Sequence, residues 1–162
     1  TERVRDAFIQ NDSTNANEYR KNASAYISQL EALDAWIKHE VSKLDRTRRL
    51  LFTQENAFQY FAGAYDFGIV GYFYSIVTEV EPSVFDVVKV IEKVRKSGLC
   101  VFFIETTLSP KMMEMFARQV SGRVAAKLYT DSIGPVGSGT GSYLGMMRYN
   151  VETMVRELSR WC

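Results

Sequence analysis

Apolar-rich runs alternate with amphipathic segments along the chain after residue 50, and this alternation limits the fold more than any other feature of the sequence. The runs at residues 50–53, 67–74, 99–104 and 124–129 have the length and composition of β-strands. Residues 99–104 are apolar without interruption, as in a strand buried on both faces of a parallel sheet. Strands that alternate with helices in this way predict an α/β fold, here one lobe with a four-stranded, mainly parallel sheet flanked by helices.

A long amphipathic helix precedes this lobe, and Asp12 is placed to cap its start. Apolar residues recur at spacings of three or four from Tyr19 to Leu44, which places them on one side of a helix of about thirty residues. Such a helix is about 45 Å long, longer than a small lobe is wide, so part of it must project or carry a second body. Its charged face contains His39, the only histidine, which indicates a solvated side chain rather than a ligand.

The composition sets further limits. The chain has 162 residues, of which 46% are hydrophobic, so it can bury the core of one domain. Lys and Arg number 20 against 19 Asp and Glu, and this balance gives no reason to expect nucleic acid or an anionic membrane as a partner. The apolar runs are too short to span a bilayer. The chain starts at Thr1, without Met and already in a helix-like pattern, so we expect a mature protein or a fragment of a longer one.

Carboxylates follow three of the four predicted strands. Glu55 comes after the first strand, Glu105 after the third and Asp131 after the fourth. The carboxyl ends of parallel strands share one edge of a sheet, so these side chains are predicted to converge there. Converging acids repel one another unless a cation, a proton or an arginine lies between them. The pattern therefore predicts a hard metal site or acid-base chemistry. A hydrogen-bonded structural acid is the alternative for each residue, and it is the favoured interpretation of Glu105.

Motifs for nucleophilic catalysis and for phosphate binding are missing from the sequence. It has no Gly-x-Ser-x-Gly elbow, no Walker-type loop and no Gly-x-Gly-x-x-Gly after the first strand. The glycine-rich segment at residues 135–141 resembles an anion-binding loop before a helix, with Ser142 as the predicted N-cap, but it lacks the usual lysine. The six methionines fall at helical spacings, which indicates core packing rather than soft-metal ligation.

Two other functions are compatible with these features. A metal-assisted hydrolase would use Glu55, Glu105 and Asp131 as its acids. A non-metal interaction module would use the long helix as a docking surface. In that module exposed positions such as Arg20 would contact the partner, and the acids would serve the fold.

The two cysteines allow two interpretations. Cys100 lies in the run most typical of a buried strand, and Cys162 is the last residue. They are either an inert core thiol and a terminal thiol, or a disulfide that ties the last helix to the sheet in an oxidising compartment. The residues alone leave both interpretations open.

Five segments, taken together, resemble one protein family. They are residues 53–61, 78–83, 100–105, 130–134 and 142–150. They have the order and spacing of motifs in the C-terminal part of the zinc, manganese and iron solute-binding proteins of ABC transporters, known as cluster A-I. The resemblance extends from about Asp12 to the end of the chain.

The resemblance implies a divided metal site. In that family a long rigid helix joins two α/β lobes, and the ion is held between them by two histidines of the N-terminal lobe and two ligands of the C-terminal lobe. The C-terminal ligands correspond to Glu55 and Asp131, whereas both histidines would lie before Thr1. Zinc-type members usually have histidine where this chain has Glu55, which favours manganese or iron without excluding zinc. Half a site is not expected to hold the ion tightly by itself.

The resemblance also implies the organisation of the chain and its surroundings. Residues 1–11 would end a helix of the missing N-terminal lobe, residues 12–45 would form the connecting helix, and residues 46–162 would form the metal-binding lobe. A disulfide between Cys100 and Cys162 is expected, because zinc-specific relatives often carry one there. We expect a monomeric, periplasmic protein that is not an enzyme, with the missing lobe and a membrane permease as partners.

Overall fold

The computed structural model describes residues 1–74, 84–106 and 109–160, which contain six α-helices and four β-strands. The helices are α1 (Glu2–Asn11), α2 (Ala16–Ser42), α3 (Gln59–Tyr65), α4 (Val84–Ser97), α5 (Lys111–Gln119) and α6 (Tyr143–Ser159). The strands are β1 (Leu50–Glu55), β2 (Gly68–Tyr74), β3 (Val101–Glu105) and β4 (Arg123–Leu128). Short 3-10 turns occur at Ser13–Asn15 and Arg46–Arg48. None of these helices has the length and apolar composition needed to cross a membrane.

The chain divides into two compact units, Thr1–Lys38 and His39–Cys162. In the first unit, Asp12 caps the 3-10 turn that leads into α2. Its carboxylate accepts a hydrogen bond from the Asn15 backbone N–H at 3.4 Å and another from the Tyr19 hydroxyl at 2.7 Å. Asp12 is therefore a cap, as predicted, but of the short 3-10 turn before α2 rather than of α2 itself.

The long helix predicted from the apolar spacing is α2, which has 27 residues. It ends at Ser42 rather than at the predicted Leu44. Leu33 and Ile37 are buried, as expected for the apolar side, whereas Tyr26 is 37% exposed. The spacing rule therefore finds the helix and most of its buried side, but it does not identify which of these positions remain open to solvent.

Parallel strands form the framework of the second unit. β1 pairs with β2 and β3 pairs with β4, each in parallel, so the predicted α/β fold is confirmed. Within the described residues the four strands form two ladders, not the single four-stranded sheet that was predicted. β1 lies beside β3, but the N–H groups of Gln54 and Glu55 donate to the Glu105 carboxylate instead of to a neighbouring backbone. A side chain therefore joins the ends of these two strands.

An aromatic cluster connects β1, β3 and α5. Phe52 and Phe116 stack with their ring centroids 4.9 Å apart, and Phe102 meets both rings edge-on. Such pairs add specific contacts to the apolar burial of the rings. All five residues of β3 are buried, which confirms that this apolar run is covered on both faces. The carboxyl ends of the strands therefore project from a closely packed core.

Candidate metal site

Glu55 ends β1, and both polar groups of its backbone are held by buried side chains. Its N–H donates to Oε1 of Glu105 at 3.1 Å, and its carbonyl oxygen accepts a hydrogen bond from the Thr53 hydroxyl at 2.6 Å. Thr53 is 2% exposed and Glu105 is 1% exposed, whereas Glu55 is half-buried. These two bonds fix the backbone from which the Glu55 carboxylate projects.

The Glu105 carboxylate lies at the junction of β1 and β3. Its two oxygens accept hydrogen bonds from the N–H groups of Gln54 and Glu55, at 3.0 Å and 3.1 Å. The Gln54 side chain bonds back: its Oε1 accepts from the Glu105 N–H at 3.2 Å, and its Nε2 donates to the Ser109 carbonyl oxygen at 2.7 Å. Glu105 is therefore a hydrogen-bonded structural acid, as the sequence favoured, and not an open third carboxylate.

Burial controls the ionisation of Glu105. It raises the pKa of this carboxyl to about 7, because a charged carboxylate is disfavoured away from water. The peptide N–H donors of Glu55 and Gln54 lower the pKa, since they stabilise the charged form, and the Glu55 carboxylate raises it slightly by repulsion. The donors therefore offset only part of the cost of burying this group.

Asp131 is exposed and lies three residues beyond the end of β4. The segment that leads to it is anchored by Asn150 of α6, which is 2% exposed. Asn150 Oδ1 accepts from the Tyr129 N–H at 2.9 Å, and Asn150 Nδ2 donates to the Tyr129 carbonyl oxygen at 2.7 Å. The amide thus takes the place of a neighbouring strand and fixes the chain just before Asp131.

Replacing Asn150 with leucine is expected to lower the free energy of unfolding by about 2–4 kcal/mol, because two backbone groups of Tyr129 lose their partner. Urea denaturation followed by circular dichroism measures the change. Glu152→Ala, at an exposed position of the same helix, is the control and should stay within about 0.5 kcal/mol of the wild type. Equal stability of the two variants would show that the anchor contributes nothing.

A glycine-rich loop connects β4 to α6 and packs on the first turn of that helix. The Gly134 N–H donates to the Thr140 carbonyl oxygen at 2.8 Å, which closes the loop. The Ser142 hydroxyl accepts from the Gly145 N–H at 3.2 Å, so the predicted N-cap is confirmed. A side chain at Gly145 would collide with the Gly139 carbonyl oxygen, and this close approach explains the glycine there.

A cavity of about 420 Å³ opens beside Asp131. Aromatic and methionine side chains of α3 and α6 form much of its wall: Tyr60, Phe61, Tyr65, Tyr143, Met146 and Met147. Glu55 is not among the described residues that line it, but Ala57 and Phe58, which follow Glu55 closely in the chain, are. The structure therefore brings Asp131 and the segment after Glu55 to the same cavity.

Glu55 and Asp131 can supply two oxygen ligands, which is an incomplete set for a metal ion. In the part of the chain that the structure describes, no three His, Cys, Asp or Glu side chains form a group that could hold a metal. Structural zinc usually takes four ligands, and manganese prefers an octahedral set of oxygens. Two carboxylates therefore need partners from elsewhere.

The other candidate residues have separate environments. His39 is exposed near the end of α2, as predicted for a solvated side chain. Met113 and Met154 are buried in the core as predicted, but the prediction is wrong for Met115, which is 62% exposed. The helical spacing of the methionines therefore does not by itself identify a core position.

The disulfide stays a prediction. Cys100 is buried at 9% exposure, directly before β3. Cys162 lies outside the described residues, as does the segment at residues 78–83 that contributed to the family resemblance.

The residues that hold the strand ends were not predicted from the sequence. Thr53 and Gln54 are polar residues that follow the apolar start of β1 and still belong to the strand. Asn150 lies on the buried side of α6, beside Val151. Buried polar side chains nearly always have hydrogen-bond partners. A polar residue at a predicted core position was therefore the signal that could have identified these hydrogen-bonding residues.

Comparison with known proteins identifies the class of protein to which this fold belongs, and also its family. The chain has the fold of a periplasmic metal-binding protein. It matches the periplasmic zinc-binding protein TroA from Treponema pallidum with a TM-score of 0.91 at 28% identity, covering 98% of this chain and 59% of that one. The family model named ZnuA, zinc-uptake complex component A periplasmic, matches residues 1–157. The chain belongs to this family, and the resemblance noted from the sequence is confirmed at that level.

Curated relatives agree with this assignment. The manganese-binding lipoprotein MntA of Halalkalibacterium halodurans is 33% identical over 157 residues, which are 97% of this chain and 52% of that protein. The zinc-binding protein TroA of Treponema pallidum is 31% identical over 148 residues, 88% of this chain and 48% of that protein. The chain thus spans about half the length of the curated relatives it matches.

Proposed function

We propose that this chain is the C-terminal lobe and connecting helix of an extracytoplasmic solute-binding protein. The protein would capture a divalent transition-metal ion and deliver it to the membrane permease of an ABC transporter. Family membership supports the class, and relatives named for manganese and zinc support the type of cargo. The observation that carries the proposal is the cavity shared by Asp131 and the segment after Glu55.

In this proposal Glu55 and Asp131 bind the ion from one side. Glu55 ends β1 and Asp131 follows β4, and buried side chains hold the backbone at Glu55 and at Tyr129, which supports a site whose backbone is ordered before an ion arrives. The other ligands are two histidines of an N-terminal lobe that precedes Thr1. Residues 1–11 would then end a helix of that lobe, residues 12–45 would form the connecting helix, and residues 46–162 the metal-binding lobe.

The ligand set favours manganese. Carboxylate oxygens suit hard ions such as manganese, whereas imidazole suits both zinc and iron. An oxygen-rich ligand set is also compatible with iron, while the relatives reported above are named for manganese and zinc. Manganese is therefore the first cargo to test, followed by zinc and iron(II).

Of the three acids that a metal-assisted hydrolase would use, Glu105 does not reach the cavity. Both oxygens of Glu105 accept hydrogen bonds from the peptide groups of Gln54 and Glu55, which leaves this buried carboxylate no access to a substrate in the cavity. The family consists of binding components of transporters, which favours binding over catalysis. In this proposal the protein is also monomeric and periplasmic, and a disulfide joins Cys100 to Cys162.

Calorimetric titration with manganese, iron(II) and zinc tests the divided site. We expect weak or no binding by this chain and tight binding by a version extended upstream to include the N-terminal lobe, because two carboxylates alone leave the coordination incomplete. Equal tight binding by both versions would show that the ligands are wrongly placed. No binding by either would favour the interaction module instead.

A further inference from the structure

One buried carboxylate takes no part in the proposed coordination, yet it is bonded to a residue that does. Glu105 is 1% exposed and is not among the described residues that line the cavity. Burying an acid is unfavourable, and two strands can be joined by ordinary backbone hydrogen bonds without one. Joining β1 to β3 does not by itself explain why a carboxylate lies at this junction.

The geometry of its hydrogen bonds gives that reason. The two oxygens of Glu105 bind the N–H groups of Gln54 and Glu55, which are successive residues. In a regular strand, successive peptide groups point to opposite sides. Two successive donors that converge on one carboxyl group form a concave arrangement of N–H groups, as in anion-binding backbone nests. Glu105 therefore holds the backbone of Gln54 and Glu55 in this conformation.

Thr53 holds the other side of the same residue. Its hydroxyl donates to the Glu55 carbonyl oxygen at 2.6 Å, so the peptide groups before and after the Glu55 Cα each bond to a buried side chain. The direction of a Cα–Cβ bond follows from the backbone on both sides of it. Glu105 and Thr53 together therefore determine where the Glu55 side chain starts and which way it leaves the strand.

We propose that Glu105 is a positioning residue for metal capture, which orients Glu55 toward the ion by binding the N–H groups of Gln54 and Glu55. This inference rests on the proposed function. A glutamine at position 105 has one acceptor oxygen and one NH2 group, so it can accept from one of these peptide donors but turns its own donor toward the other. The amide therefore has nearly the same shape as the ionised carboxylate but cannot hold both N–H groups.

The test compares manganese and zinc affinities of the upstream-extended protein with those of its Glu105→Gln variant. We expect the variant to bind each ion roughly tenfold to a hundredfold more weakly, the range found when a residue supporting a metal ligand is lost. Thr53→Val, which removes the hydroxyl but keeps the shape, should weaken binding in the same direction. Calorimetry well below the melting temperatures keeps all the proteins folded during the titration.

Phe102→Leu is the matched control. Phe102 lies in the same strand, has no exposed surface and contacts Phe52 of β1, so its replacement destabilises the junction of the strands without touching the carboxylate. We expect Phe102→Leu to lower the melting temperature and to keep the wild-type affinity. An equal loss of affinity in Phe102→Leu and Glu105→Gln would overturn the positioning role, because general loosening would explain both.

The outcomes separate this inference from the proposed function. If the extended wild type binds neither ion, or if Asp131→Ala binds as the wild type does, the proposed function fails. If the wild type binds and folded Glu105→Gln binds within about twofold of it, only the positioning role fails. Should Glu105→Gln not fold, Thr53→Val decides: weaker binding supports the role, and wild-type affinity overturns it.

Discussion

Replacing Asp131 with alanine in the upstream-extended protein is expected to weaken manganese and zinc binding by at least about a hundredfold, the upper range for losing a residue that merely supports a ligand. The proposal makes Asp131 a direct ligand, and its loss removes both an oxygen donor and a negative charge next to the cation. Asp131 is exposed, so the substitution should leave the fold intact. Competition calorimetry measures the affinity.

Two further variants sharpen this result. Asp131→Asn keeps the size of the side chain and one oxygen but removes the charge, so its loss of affinity should be smaller than that of Asp131→Ala. Ser132→Ala, at the next exposed position, should bind as the wild type does. Wild-type affinity in Asp131→Ala would remove this residue from the ligand set and leave the cavity without a function.

Replacing Glu55 with histidine should change the preference between metals. We expect manganese affinity to fall roughly tenfold to a hundredfold and zinc affinity to change by less than about tenfold, because imidazole suits zinc better than it suits manganese. Histidine is chosen because the family resemblance noted from the sequence implies it at this position in zinc-type members. Titrations with both ions on the upstream-extended variant give the ratio of affinities.

Glu55→Gln is the matched variant for this swap. It keeps a neutral oxygen of similar reach, so it should weaken both ions and leave their order unchanged. An equal fall for manganese and zinc in Glu55→His would show that the identity of the donor atom at this position does not decide the preference. Unchanged affinity for both ions would place Glu55 outside the coordination shell.

The strands and helices could be predicted because their signals are local. The uninterrupted apolar run around Phe102 indicates a strand covered on both faces, and Ser142 is a good acceptor for the free N–H groups of a helix start. Each signal depends on the chemistry of a few neighbouring residues. Tertiary packing then stabilises elements whose type the local pattern already indicates.

The end of β1 depends on a contact between residues that are distant in the sequence. Gln54 and Glu55 look like the start of a polar loop, and the strand was predicted to end at Thr53, yet β1 continues to Glu55. The N–H groups of both residues are held by Glu105, about fifty positions away along the chain. Only the arrangement of β1 beside β3 creates this partner, so a local pattern cannot reveal it. The same contact explains why one of the three predicted acids is absent from the site.

The anchoring of Tyr129 by Asn150 bears on the thermodynamics of capture. A loop that must become ordered around an ion loses conformational entropy on binding, and each side chain immobilised at an interface costs about 0.5–1.5 kcal/mol. Here the amide of Asn150 has already fixed the segment before Asp131, without help from an ion. In the proposed function, the backbone just before Asp131 would then add little to the ordering cost, which would fall on the ligand side chains and on the approach of the two lobes.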